Sequence, residues 1–223
     1  MIRHVAFIMD GNSTWAKKNN VSDLDGHLAG MKSLAKLICK IKIPYATFYA
    51  FSTENWKRPK VWIDGFMSLA LRFLETDPLI KDVLNANIKL KVIGNKSSLP
   101  QALQNVINKY EEITVNNTGT VIQLAISYGG RDEIIRAVKK LNNKNIEINE
   151  ENLSNALDTA GIPDPDLVIR TSGKKRLSNF LLWQVSYSEF YSTYTLWPDF
   201  CIDDFNIAVV DYEKRHRTFG LSE

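Results

Sequence analysis

Short apolar segments that end abruptly in polar residues recur along this chain. In the first of them, Val5 to Met9 form an unbroken apolar run, which is typical of a strand buried on both faces of a parallel sheet. Asp10, Gly11 and Asn12 follow at once. Open α/β sheets bind ligands beyond the carboxyl ends of their strands, and a glycine there lets the backbone approach a ligand closely. A plain turn with a capping Asn12 would also explain these residues, so this segment alone does not decide between the two.

Strand and helix patterns alternate along the rest of the chain. Residues 26–42 carry apolar side chains at every third or fourth position, which predicts an amphipathic helix opened by Gly26 and His27. The other predicted strands are Ala46 to Phe51, Ile88 to Ile93, Val121 to Ser127 and Leu167 to Ile169, and the other predicted helices are Asp64 to Leu84, Leu99 to Ile113, one that ends near Leu141, and Glu150 to Leu157. This alternation predicts one α/β domain over residues 1–223, with a mostly parallel open sheet flanked by helices.

Polar residues gather at the predicted strand ends. They are Asp10, Asn12, Ser52, Glu54, Asn55, Arg58, Arg131, Arg170, Arg176 and Ser178. In a parallel sheet these ends meet at one edge, so we expect the side chains to share a site. Arginine forks and hydroxyls bind phosphate oxygens, and carboxylates beside phosphates usually imply Mg²⁺. Asp10 is the first candidate metal ligand and Glu189, an acid amid aromatic residues, is the second, although a surface ion pair would also explain Glu189.

Several common kinds of site are absent from the sequence. There is no GxxxxGK[ST] segment, which disfavours an ordinary nucleotide hydrolase, and no GxGxxG after the first strand, which disfavours dinucleotide binding. A GxSxG segment and a cysteine nucleophile motif are also absent, which argues against acyl transfer. The net charge of +3 is modest, and its basic residues at strand ends do not indicate nucleic-acid binding. A diphosphate-handling site beside a large apolar lining remains.

The two cysteines and the hydropathy of the chain bear on its compartment. Cys39 and Cys201 stand alone without a CxxC motif, so we predict buried, reduced thiols and neither a disulfide nor a zinc site. No apolar run approaches the ~20 residues of a membrane span. The first predicted strand begins too early for a targeting segment to precede it, and we therefore predict a cytoplasmic protein.

Four blocks of sequence together resemble the cis-prenyltransferase family, of the undecaprenyl diphosphate synthase type. They are HVAFIMDGN with Trp15-Ala16 and Gly26-His27; YAFSTENWKRP; SYGGRDEI; and DLVIRTSGKKRLSNFLLWQVSYSEFY followed by LWPDF. The resemblance extends over essentially the whole chain. It implies an undecaprenyl diphosphate synthase-like fold with an apolar tunnel, and a Mg²⁺-dependent condensation of isopentenyl diphosphate with an allylic diphosphate.

The resemblance also implies roles for individual residues. Asp10 would help to hold Mg²⁺ and the diphosphates, Glu189 would complete the metal site, and Asn55 would remove the proton or relay it. The other implied substrate-binding residues are Gly11, Asn12, Ser13, Thr14, Trp15 and His27 on the allylic side, Ser52, Thr53, Glu54, Trp56 and Arg58 on a loop that closes over the site, and Arg170, Arg176 and Ser178 around isopentenyl diphosphate.

The chain departs from the family pattern at several of these places. Ser13 and Thr14 replace a glycine and a phosphate-binding arginine, and Asp23 replaces a second arginine. Trp62 and Lys174 each stand where the family has a glutamate. The allylic side thus loses two positive charges, each able to make bonds worth roughly 1.5 to 3 kcal/mol, while Lys174 adds one charge near the isopentenyl side.

Three interpretations of these departures stay open. The first is a working cis-prenyltransferase that makes a regular product of unknown length. The second is a specialised relative that performs an irregular, lavandulyl-type head-to-middle coupling or forms a terpene. The third is a non-catalytic partner subunit, which the intact residues of the isopentenyl site disfavour. Met31 is bulkier than the small residue common at its position in the tunnel, and it suggests a shorter product.

The resemblance further implies a homodimer. The segment from Trp183 to Phe200 is rich in aromatic residues, more than a monomer needs to bury, although core packing would also use them. Arg215, Arg217 and Gly220 resemble a family tail that in some members reaches the partner's site. A nucleic-acid partner is not expected, and membrane contact would follow only from a lipid product.

Overall fold

A six-stranded parallel sheet organises the computed structural model, which describes residues 2–217. The strands are β1 (His4–Ile8), β2 (Tyr45–Ser52), β3 (Lys89–Ile93), β4 (Val121–Tyr128), β5 (Leu167–Arg170) and β6 (Glu189–Ser192). Their order across the sheet is β3-β4-β2-β1-β5-β6, and every pairing is parallel. The predicted α/β class with an open parallel sheet is confirmed. β6 had no counterpart among the predicted strands.

The helices mostly follow the predicted pattern. They are α1 (Asn12–Lys18), α2 (Asp23–Ile38), α3 (Lys60–Thr76), α4 (Pro78–Asn85), α5 (Gln101–Thr114), α6 (Gly130–Asn143), α7 (Glu150–Ala156) and α8 (Ile202–Glu213). The prediction of one helix from Asp64 to Leu84 was wrong, because the residue before a proline avoids helical backbone. Asp77 therefore ends α3, and its side chain caps α4 at the N–H of Leu79.

The start of α2 was also predicted wrongly. Ser22 caps this helix, because its hydroxyl accepts the N–H of Asp25 while the Asp25 carboxylate accepts the N–H of Ser22. This reciprocal capping box satisfies two donors at the helix start. It therefore begins α2 at Asp23, before the predicted start at Gly26, and brings Asp23 into the first turn.

Alternate residues of β1 supply the two faces of the core. Val5 and Phe7 pack on one face with apolar residues of α2 and α8, and Phe7 stacks on Phe48 of β2 with ring centroids 4.5 Å apart. Ala6 and Ile8 belong to a second cluster on the opposite face of the sheet. The sheet is thus covered on both sides, as parallel sheets are in α/β proteins.

The aromatic segment near the end of the chain divides between core and surface. Trp197 and Phe200 are 1% and 2% exposed, so core packing explains them. Tyr187 and Tyr194 are 68% and 90% exposed. Gly220 lies outside the described residues. Among residues 2–217, no helix has both the length and the apolar content that crossing a membrane requires.

Both cysteine side chains were wrongly predicted to be buried. Cys39 directly follows α2 and Cys201 directly precedes α8, and both are exposed free thiols. Helix ends lie where their unpaired backbone groups reach water or a cap, which explains the exposure. At Cys201 the cap is Asp204, whose carboxylate accepts the Cys201 N–H at 3.0 Å.

Candidate active site

A cavity of about 710 Å³ lies at the carboxyl ends of the central strands. The predicted site residues that line it are Asp10, Gly11, Asn12, Ser13, Thr14, His27, Ser52, Glu54, Asn55, Arg58, Arg170, Arg176 and Ser178. Apolar side chains complete the lining, among them Met31, Leu34, Phe66 and Trp197. Its volume falls within the range of about 300 to 1,000 Å³ that is typical of small-molecule sites. The polar site residues and these apolar side chains therefore line the same cavity.

An ion pair between Asp10 and Arg170 lies in this cavity. β1 and β5 are neighbours, and Ile8 pairs in register with Arg170, so Asp10 follows at the level of the guanidinium. Arg170 Nε and Nη2 both donate to Asp10 Oδ2, at 3.0 and 2.6 Å. The Arg170 side chain is only 3% exposed, and a charge so deeply buried needs its partner. The pair fixes the guanidinium before any ligand binds.

The loop after β5 adds more donors around Arg170. Arg170 Nη1 donates to Ser178 Oγ at 2.9 Å and to the main-chain oxygen of Arg176. Lys174 Nζ lies 3.7 Å from Asp10 Oδ2 and lines the same cavity. Asp10 thus has two cationic neighbours, Arg170 and Lys174, and Arg176 lines the same cavity, so this wall has an excess of positive charge suited to an anion such as a diphosphate.

The side-chain amide of Asn55 is oriented by the backbone. Asn55 lies in a 3-10 turn (Thr53–Lys57) directly after β2, and its Oδ1 accepts the N–H of Ser52 at 2.9 Å. Because a backbone N–H can only donate, this contact establishes which amide atom faces Ser52. Nδ2 is therefore the atom of Asn55 that can donate to a ligand, and a proton relay through Oδ1 would first require the bond to Ser52 to break.

Glu54 forms the rim of the cavity together with Asn179. Asn179 Nδ2 donates to Glu54 Oε1 at 2.8 Å, and Thr53 Oγ1 donates to Oε2 at 3.2 Å. Burial acts to raise the pKa of Glu54, but hydrogen bonds from Asn179 and from neighbouring hydroxyl and backbone groups outweigh it and leave the pKa below its ordinary value. Glu54 is therefore ionised at neutral pH and tethers the turn to the loop that carries Ser178.

His27 contributes a neutral imidazole to the lining. Its Nε2 is buried without a hydrogen bond among the described residues and lies 3.5 Å from Asp23 Oδ2. Burial lowers the pKa of His27 to about 4, and the nearby charge of Asp23 only partly opposes this effect. At neutral pH the contact with Asp23 is therefore not an ion pair, and His27 brings no positive charge to the site.

Three other predicted site residues of the first two blocks do not line the cavity. Trp15 Nε1 donates to Asp199 Oδ1 at 2.7 Å, and Trp56 Nε1 donates to Ser127 Oγ at 2.9 Å. These indoles anchor α1 and the turn after β2 to neighbouring elements. Thr53 lies in the same turn, outside the lining.

Arg131 and Glu189 also lie elsewhere. Arg131 is exposed at the start of α6 and outside the lining. Glu189 begins β6 and pairs in register with Leu167, the first residue of β5. Arg170, which binds Asp10, is the last residue of β5. Strand geometry separates these two levels by roughly 10 Å. Glu189 instead accepts from Arg215 at 2.7 Å, so a single chain does not bring Glu189 to Asp10.

Reasoning from sequence missed part of the cavity lining. Ser178 was identified but its neighbour Asn179 was not; both have left-handed backbone, with φ of 51° and 64°, in the tight turn that brings both side chains to the cavity. Met31, which the family resemblance assigned to the tunnel, does line the cavity. Leu34 lies three residues further along α2 and was missed, because this spacing revealed an apolar face but not whether that face meets the core or the cavity.

Comparisons with known proteins agree with this geometry. A family model described as putative undecaprenyl diphosphate synthase matches residues 8–220. An isoprenyl transferase of Treponema denticola is 47% identical over 223 residues, covering 98% of this chain and 97% of that relative. The crystal structure of lavandulyl diphosphate synthase from Lavandula x intermedia in complex with dimethylallyl diphosphate superimposes with a TM-score of 0.93 at 36% identity, covering 98% of both chains. A probable undecaprenyl diphosphate synthase from Campylobacter jejuni gives a TM-score of 0.81 at 39% identity, covering 99% of both chains. This chain therefore belongs to the undecaprenyl diphosphate synthase family of cis-prenyltransferases, enzymes that transfer prenyl groups.

Proposed function

We propose that this enzyme condenses isopentenyl diphosphate with an allylic diphosphate in a Mg²⁺-dependent reaction. The allylic carbon–oxygen bond breaks and releases diphosphate, the double bond of isopentenyl diphosphate attacks the resulting cation, and loss of a proton leaves a new cis double bond. The observation that supports this proposal is the cavity itself, where Asp10, Arg170, Arg176 and Ser178 face an apolar lining. The cations suit diphosphates, and the apolar lining suits a prenyl chain.

Arg170 is the central residue of the proposed isopentenyl diphosphate site. Its guanidinium is already held in place by Asp10, Ser178 and the main-chain oxygen of Arg176, and these bonds leave one N–H of Nη2 to donate to a diphosphate. Arg176 and Lys174 supply further positive charge from the same loop. Asn55 would donate through Nδ2 and hold a diphosphate oxygen near the proton that is lost.

The allylic diphosphate would bind across the start of α1. Gly11 and Asn12 open this helix, and Ser13 and Thr14 offer hydroxyl donors in place of the family's glycine and arginine. His27 adjoins them as a neutral ring. The prenyl group would lie against Met31 and the other apolar side chains of the lining.

The residues present fit a Mg²⁺ ion at Asp10. Mg²⁺ commonly takes one or two protein carboxylates together with substrate phosphates and waters. Arg170 engages only Oδ2 of Asp10, so Oδ1 stays available as a metal ligand. When bound, Mg²⁺ supplies positive charge that stabilises the departing diphosphate. Glu189 would join as a second ligand only from another subunit, since in its own chain it lies at the amino ends of the strands and Asp10 lies at their carboxyl ends.

We propose a homodimer built on the edge of the sheet that β6 forms. Ile207 and Val210 of α8 are 60% and 50% exposed and, with Tyr191 of β6, line a shallow groove. Exposed apolar side chains beside an unpaired strand edge favour association. Analytical ultracentrifugation should give the mass of two chains at micromolar concentration, and a monomer there would contradict the proposal. The cytoplasmic location stays a prediction.

A substrate panel tests the proposed reaction. Purified protein with Mg²⁺ and isopentenyl diphosphate is incubated with dimethylallyl, geranyl or farnesyl diphosphate, and the products are identified by mass spectrometry. We expect products longer than the allylic substrate by whole five-carbon units, and none when isopentenyl diphosphate is omitted. Failure to extend any allylic substrate would refute the proposal.

An irregular coupling is the second candidate. The lavandulyl diphosphate synthase has a higher TM-score than the undecaprenyl-type structure, and its solved complex holds dimethylallyl diphosphate. The changes at Ser13, Thr14 and Asp23 also fall on the proposed allylic side. Consumption of dimethylallyl diphosphate alone, with a branched ten-carbon product, would favour this candidate over the regular one.

A further inference from the structure

A small cluster joins the first turns of α2 and α3. Asp23 is the first residue of α2, and its Oδ2 accepts the indole N–H of Trp62, on α3, at 2.6 Å. The side chain of Ser13 also hydrogen-bonds Asp23. Two positions that depart from the family pattern, 23 and 62, are thus in direct contact through one hydrogen bond.

The ring of Trp62 has an arginine against its face. Arg58 Cζ lies 4.0 Å from the ring centroid, within the distance of a cation–π interaction. Phe66 stacks on the same indole with centroids 5.3 Å apart and planes 10° apart, and His27 meets it edge-on at 5.4 Å. Neighbours on several sides therefore fix the orientation of the indole that carries Arg58.

The position of Arg58 matters because this side chain lines the cavity beside the proposed allylic site. The side chain is long and the residue is exposed, so a freely rotating guanidinium would lose much conformational entropy on binding an anion. Stacking on Trp62 restricts that freedom in advance. The negative charge of Asp23 attracts Arg58. Asp23 also accepts a hydrogen bond from the indole N–H, and this bond polarises the ring so that it attracts a cation more strongly.

We propose that Trp62, held by Asp23, is a positioning residue that keeps the Arg58 guanidinium ready to bind the diphosphate of the allylic substrate. This inference rests on the proposed function and deepens it. The departures at positions 23 and 62 are then one coupled change, in which a carboxylate and an indole N–H replace two oppositely charged side chains. Arg58 then provides a positive charge on the allylic side, where the family's two arginines are replaced by Thr14 and Asp23.

Binding of inorganic pyrophosphate tests the inference without turnover. The full chain is saturated with isopentenyl diphosphate and Mg²⁺, and pyrophosphate is then titrated by calorimetry. Trp62→Leu removes the aromatic face, and we expect its pyrophosphate Kd to rise about fivefold or more. Trp62→Phe keeps a ring for Arg58 and loses only the bond to Asp23, so its Kd should rise less. The matched control is Trp183→Phe, which loses an indole bond to Ser154 Oγ (3.0 Å) outside the cavity lining and should bind like the wild type.

Steady-state kinetics separate positioning from a general loss of structure. Trp62→Leu should raise KM for the allylic diphosphate with little change in KM for isopentenyl diphosphate, whereas a merely structural defect would change both or lower the melting temperature alone. Unchanged pyrophosphate affinity and allylic KM in folded Trp62→Leu would overturn the inference, as would a wild-type chain that binds no pyrophosphate. If the wild type binds pyrophosphate through Trp62 but extends no allylic substrate, the proposed reaction fails while this inference stands.

Discussion

Asp10→Asn keeps the size of the side chain and removes its charge. The Arg170 side chain is 3% exposed and donates twice to Asp10 Oδ2, so the variant leaves a buried guanidinium without its acid. Breaking a buried pair by removing one partner costs about 3 to 5 kcal/mol. Because the Asp10 side chain is 31% exposed and asparagine keeps an acceptor, we expect a smaller loss here, about 1 to 2 kcal/mol.

Two measurements follow from this magnitude. Each 1 kcal/mol lowers the Tm of a domain of this size by about 2 to 4 °C, so calorimetry should show a decrease of about 2 to 8 °C. Turnover should fall about 10²- to 10³-fold, because the variant loses the proposed metal ligand and the charge that fixes Arg170. The matched control is Asp132→Asn, which removes a partly exposed partner of Arg136 on α6; Asp158 still holds that guanidinium, so neither quantity should change appreciably.

The two measurements can refute the reasoning separately. A Tm equal to that of the wild type would mean that the ion pair of Asp10 and Arg170 contributes nothing to folding. Turnover within twofold of the wild type, measured at saturating Mg²⁺ and both diphosphates, would remove Asp10 from the proposed metal and diphosphate site.

Three further predictions concern other parts of the chain. Thr14→Arg restores a cation beside the cavity, so the apparent KM for the allylic diphosphate should fall in steady-state assays; no change would mean that another group has replaced that charge. Burial lowers the pKa of His4 from 6.5 to about 4, so the folded chain binds this proton less readily than the unfolded chain. The contribution of neutral His4 to the free energy of unfolding is therefore complete above pH 6.5 and is lost as the pH falls toward 4, by up to about 3 kcal/mol. Urea unfolding of His4→Gln at a series of pH values should lack this share of the pH dependence. Gly30→Ala places a Cβ 2.2 Å from Asn12 Oδ1, which should cost about 1 to 3 kcal/mol in thermal unfolding and reduce turnover by displacing Asn12; an unchanged Tm would show that the lining yields freely.

Most strands and helices were predictable because their signals are local. The unbroken apolar run before Asp10 and the apolar spacing in α2 depend only on residues a few positions apart. Departures from prediction also have local causes that could have been recognised, such as the capping box at Ser22 and the helix break at Pro78. Both cysteine errors arose at helix ends, where reasoning from composition alone does not apply.

The arrangement of the site depended on contacts between distant parts of the chain. The sequence by itself determined that Asp10 and Arg170 each lie at the carboxyl end of a strand, but only the order of strands made β1 and β5 neighbours and brought the two side chains together. The same packing put Glu189 at the opposite end of the sheet and joined Asp23 to Trp62. The spacing of apolar residues along a helix or strand indicates which of its faces is buried. Which elements meet is decided by how all of them pack around a shared core, and no single segment encodes that choice.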